Sequence, residues 1–77
     1  MPSPAEMSKE QLSSLTDQRL EEERSHYLLV RAGYRSDQDG YKWASKEIEV
    51  IQAERDRRAI DRRRKEESKR WLHGHHQ

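Results

Sequence analysis

The side chains best placed to do chemistry lie in the last third of this 77-residue chain. Arg55, Arg58, Arg62, Lys65 and Lys69 recur at alternating steps of three and four, the spacing that lines side chains along one face of a helix. Such a stripe offers guanidinium forks and ammonium charges to phosphates or carboxylates, and Trp71 at its end offers a flat surface on which a base can stack. The candidate nucleic-acid contacts are therefore Arg55, Arg58, Arg62, Arg63, Arg64, Lys65, Lys69, Arg70 and Trp71. A second account needs no ligand. Glu54 with Arg58, Asp61 with Lys65 and Glu66 with Arg70 are acid-first pairs four residues apart, each of which stabilises a solvated helix by about 0.2–0.5 kcal/mol.

Other reactive constellations are missing. The chain has no cysteine, so it holds neither a thiol nucleophile nor a disulfide, and its three glycines are too scattered for a phosphate-binding loop. His73, His75 and His76 lack a fourth ligand and a rigid frame, so they read as part of a frayed tail and not as a metal site. His26, beside Tyr27, has no serine or cysteine to activate and reads as a surface residue. These absences predict a protein with no catalytic residue, no cofactor, no metal and no small-molecule substrate. The longest apolar run, Tyr27 to Val30, is far short of a membrane span, and the N-terminus lacks the basic and apolar stretches of a secretory signal. We expect an intracellular protein, cytoplasmic or nucleoid-associated, that does not enter membranes.

Two resemblances bear on function. The arginine-rich segment is similar to the RNA-binding helices of phage antitermination proteins, which join arginine clusters to a tryptophan; this covers about 17 residues and implies binding to structured RNA. Leu20-Glu-Glu-Glu-Arg24, followed 21 residues later by Ser45-Lys-Glu-Ile-Glu49, resembles the small sporulation-type aspartyl-phosphate phosphatases, helical hairpins with a Ser-Gln-Glu-Leu-Asp signature. Ser45 and Glu47 match that signature, whereas Lys46, Ile48 and Glu49 depart from it. The resemblance implies a modulator of a phosphorylated response regulator.

The elements that must carry these residues are helices. Residues 1–13, with two prolines and no apolar period, read as a flexible leader. Thr16 is suited to cap a first helix, with Asp17 at its positive end and Leu15 and Leu20 spaced as a hydrophobic staple. That helix should end near Ala32, with Gly33 in the left-handed conformation, and bury Leu20, Tyr27, Val30 and Leu28, leaving Leu29 exposed. A turn rich in Ser, Asp and Gly leads to a second helix that starts after Asp39 or at Ser45. Its seam of Tyr41, Ala44, Ile48 and Ile51 packs on the first helix and turns basic at Arg55.

The fold expected is all-α: an antiparallel two-helix hairpin over 14–53, a basic helical extension over 54–72 and a frayed His-rich tail over 73–77. Only 30% of the residues are hydrophobic and 40% are charged. Two helices with so few apolar side chains cannot enclose a core, so the hairpin should dimerise into a four-helix arrangement or dock on a partner. The near-neutral total hides a gradient: residues 54–77 hold nine basic and five acidic side chains. The leading functional expectation is a small regulator, adaptor or inhibitor that binds protein through the apolar-to-basic face, with Leu29, Trp43, Arg55, Arg58 and Arg62 as contacts. RNA or DNA binding is the alternative, and response-regulator modulation the second alternative.

Overall fold

The structure, a computed structural model, describes residues 2–75, with side chains to residue 70. It is all-helical, with no strand among the described residues: a 3-10 turn at Pro4–Glu6, then α1 (Lys9–Ser14), α2 (Asp17–Ala32) and α3 (Asp39–His75). The molecule measures 60 × 24 × 17 Å, because α3 is far longer than the helix it packs against.

Thr16 caps α2 as its type dictates, its hydroxyl oxygen accepting from the Arg19 N–H at 3.0 Å. The helix stops at Gly33, but by a different route from the one expected. Gly33 is right-handed (φ −82°), and its N–H reaches back to the Val30 carbonyl at 3.1 Å, so a tightened last turn closes the helix without a left-handed residue. In the turn, the Gln38 side chain accepts the Arg35 N–H at 2.7 Å, and α3 begins at Asp39, not at Ser45. Tyr34 lies across Gly40 so closely that a Cβ there would stand 2.5 Å from its ring, so any larger residue at that position must displace the ring.

The two helices run antiparallel, and their contacts fall in step: Arg31 with Tyr41, Tyr27 with Trp43, Glu21 with Arg55, Asp17 with Arg58. Leu20, Tyr27 and Ile51 form the core, with Leu12, Leu15 and Ile48 packed against it. Ala44 is fully buried where the helices approach closely. Val30 and Leu28 are half-buried, and Leu29 points outward.

Residues 4–15, expected to fall mostly in a leader, are folded against α3 and close the third side of the core. Pro4 starts the 3-10 turn and is buried, and Ser8 with Gln11 forms a reciprocal capping box that starts α1. The anchor is Glu47. This carboxylate is only 2% exposed and accepts the Ala5 N–H at 2.9 Å. Together with burial, the Glu47 charge raises the pKa of the Tyr27 phenol. The N-terminal segment thus covers part of the hairpin's apolar seam, while Leu29 and Trp43 stay exposed.

Candidate interaction site

The seam of α3 keeps its direction where its chemistry changes. Ala44, Ile51 and Arg58 fall at steps of seven, so Arg58 projects toward the same neighbours as the core residues before it. Its side chain is 16% exposed and satisfied on every side. One terminal nitrogen donates to Asp17 Oδ1 at 2.9 Å, the other to the carbonyls of Leu12 and Ser13 at 3.1 and 3.2 Å, and Nε to Glu54 at 3.3 Å. One guanidinium therefore ties together the end of α1, the start of α2 and the middle of α3. Arg62 also pairs with Asp17, and Arg55 with Glu21 at 2.6 Å.

Two carboxylates anchor this cluster. Hydrogen bonds from Arg58 first, and then Arg62, hold the Asp17 carboxyl below its ordinary pKa. Glu54 is 6% exposed and receives Arg57 at 2.7–3.2 Å as well as Arg58; the Arg57 bonds, ahead of burial, which opposes them, lower its pKa. The same pairing raises that of Arg57, whose fork also reaches Asp61 at 2.9 Å. Of the acid-first pairs read from the sequence, Glu54 with Arg58 forms, while Asp61 turns to Arg57 and not to Lys65.

The candidate contacts thus separate into two groups. Arg55, Arg58 and Arg62 are joined to α2 and already hold acidic partners. Past Arg62, α3 has no α2 beside it, and each residue from Arg63 to Arg70 is exposed. Arg63, Arg64, Lys65, Lys69 and Arg70 make no ion pair among the described residues, so this arm carries five basic and two acidic side chains open to solvent. From Arg62 to His75 it extends about 20 Å at 1.5 Å per residue. The side chain of Trp71 lies outside the described residues, as do those of His73 and His75; residue 76 lies outside them altogether.

Leu29 is 77% exposed, as a contact residue requires. Trp43 is 48% exposed and has one use within the fold, meeting Tyr27 edge-on at 5.4 Å. Of the phosphatase-like block, Glu47 is turned inward under Ala5 while Glu49 is exposed. His26 is exposed and lies edge-on to Tyr27 at 5.1 Å. Among the described residues no group of His, Cys, Asp or Glu is arranged to hold a metal ion, and no helix is long and apolar enough to cross a membrane.

Three structural residues escape a reading by composition: Pro4, Glu47 and Glu54. A signal for the folded N-terminus exists in Ser8-Lys-Glu-Gln11, the capping-box pattern, followed by Leu12 and Leu15 at a helical step. Glu47 and Glu54 fall in helical step with Ala44, Ile51 and Arg58, and the pairing of Glu54 with Arg58 is read from the sequence; their burial is not, because they are acids in a highly charged helix. No protein-family model, curated protein or solved structure matches this chain.

Proposed function

We propose that this protein is a non-enzymatic interaction module, a small regulator, adaptor or inhibitor, that engages an acidic protein surface through the projecting end of α3. The observation that carries this reading is the division of the arginines. Arg55, Arg58 and Arg62 are neutralised by Glu21, Glu54 and Asp17, whereas Arg63, Arg64, Lys65, Lys69 and Arg70 are exposed on a stretch of helix that, among the described residues, has no other helix packed against it. A helix projecting from a folded base is presented already ordered, which lowers the entropy lost on docking.

A protein surface suits the arm better than a polyanion, because Glu66 and Glu67 interrupt the bases, and three arginines of the nucleic-acid stripe are engaged in the fold. Affinity capture from cell extract, with and without nuclease, tests the reading. We expect a protein band that survives nuclease and is lost with Arg63→Glu/Arg64→Glu, a variant that leaves the thermal melt unchanged. If every band disappears with nuclease and nucleic acid is recovered from the untreated sample, the arm binds RNA or DNA and the proposal fails.

A further inference from the structure

Three hydroxyl groups of the folded body are engaged in its structure: Ser8 and Thr16 cap α1 and α2, and Ser14 donates to the Gln11 carbonyl at 2.6 Å. Ser68 differs in place and in company. It is exposed, and it carries the one hydroxyl group of the chain past Arg62, where no other helix packs against α3 among the described residues. Arg63, Arg64 and Lys65 precede it and Lys69 and Arg70 follow it; no other serine or threonine of the chain has three bases among the five residues before it. Arg64 and Lys65 stand one turn back, at four and three residues, and so share its side of the helix. Asp61, two turns back on that side, is held by Arg57 at 2.9 Å. A negative group at position 68 would therefore face two bases that make no ion pair among the described residues.

We propose that Ser68 is a phosphorylation site for a serine kinase that reads flanking basic residues, and that its phosphate switches the arm off. This rests on the reading of the arm as the contact surface and names its regulation. The γ-phosphoryl group of magnesium ATP passes to the Ser68 Oγ, ADP leaves, and the hydroxyl proton goes to the kinase's catalytic carboxylate. A kinase takes its substrate extended, so the helix must open around Ser68; that opening breaks backbone bonds of α3 alone and costs no contact with α1 or α2 among the described residues. Between Arg63 and Arg70, five bases stand against two acids, a surplus of three positive charges. A phosphoserine adds about −1.5 to −2 near neutral pH, and its oxygens accept charge-assisted bonds from guanidinium and ammonium groups. It cancels half or more of the surplus and draws Arg64 and Lys65 along the helix, away from an external carboxylate.

The test treats the full chain with magnesium ATP and the catalytic fragment of protein kinase C, which favours bases on both sides of its serine, and measures binding to poly-L-glutamate at low salt as a probe of the arm. Tandem mass spectrometry should place one phosphoryl group on Ser68, and Ser68→Ala should gain none. The unmodified chain should bind polyglutamate. Phosphorylation should weaken that binding roughly five- to tenfold, the loss of two or three exposed ion pairs, while Ser68→Ala, treated in the same way, should bind as the untreated wild type does. A Ser68 left unmodified, a phosphoryl group placed on another residue instead, or a phosphorylated chain that binds as tightly as before overturns the proposal. Failure of the arm reading looks different: the unmodified chain then ignores polyglutamate, or Arg63→Glu/Arg64→Glu binds it unchanged, and the switch falls with it.

Discussion

Arg58→Ala isolates the contribution of the one guanidinium that touches three elements. The side chain is 16% exposed and makes four hydrogen bonds: to two carboxylates and to the carbonyls of Leu12 and Ser13. Hydrogen bonds to charged groups contribute about 1.5–3 kcal/mol where they are shielded from water, and much less at exposed positions. Glu54 is nearly buried and keeps Arg57 after the substitution, and water can reach the Ser13 carbonyl, so the losses do not add in full. A total of about 2–3 kcal/mol follows. For a domain of this size, each kcal/mol lowers Tm by about 4–8 °C, so the melt followed by far-UV circular dichroism should fall by roughly 10–20 °C. Arg62→Ala is the control: Arg62 also pairs with Asp17, but its side chain is 66% exposed, and its loss should move Tm by a few degrees at most. Arg58→Lys restores the charge without the planar fork and should recover less than half of the loss. Equal shifts for Arg58→Ala and Arg62→Ala would refute the reasoning, because burial, the two carbonyl contacts and the bond to Glu54 are what distinguish them.

Stability should fall on acidification. Arginine hydrogen bonds depress the pKa values of Asp17 and Glu54 in the folded state; their contribution is therefore complete above the ordinary carboxylate range and is lost as pH drops through that range toward the lowered values, which thermal melts at a series of pH values will show. Glu47→Ala removes the acceptor for the Ala5 N–H; hydrogen exchange at Ala5 and at the neighbouring amides of the 3-10 turn should speed up at least tenfold, while Glu47→Gln, which keeps an acceptor oxygen, should protect them. Gly40→Ala should displace the Tyr34 ring, which a Cβ would meet at 2.5 Å, and NMR shifts should be confined to the turn between α2 and α3. Because that ring is 45% exposed and can swing outward, the same substitution should lower Tm only slightly.

The hairpin is legible in the sequence because its signals are local. Thr16 caps α2, Gly33 ends it, and Tyr41, Ala44, Ile48 and Ile51 keep a helical step. The misplaced features depend on what lies across from each residue. Arg55, Arg58 and Arg62 continue the apolar seam, and that continuity already places them opposite α2, where Glu21 and Asp17 stand one turn apart. Reading the stripe by composition makes it a ligand-facing surface; extending the antiparallel pairing of Tyr27 with Trp43 makes it a clasp. The N-terminal segment was obscured for a different reason. Two prolines and an absence of apolar period suggest an unstructured stretch, yet one buried proline, one capping box and two leucines suffice when a groove on α3 is waiting to be filled.

Chemically identical side chains on one helix thus do opposite work according to what lies opposite them. Up to Arg62, α3 has α2 alongside, and arginine there reaches acids of its own chain while its aliphatic stem covers apolar surface. Beyond Arg62 the neighbouring helix has ended, and the same residue type has only solvent or another molecule to meet. The start of α2 at Asp17 therefore sets the boundary between the two sets, and it does so through Thr16, the residue that starts that helix. Shortening α2 from its N-terminal end would release Arg58 and Arg62 from Asp17 and lengthen the free arm, at the expense of the clasp. Stability and the size of the basic surface are in this way opposed, both governed by the position of one helix cap.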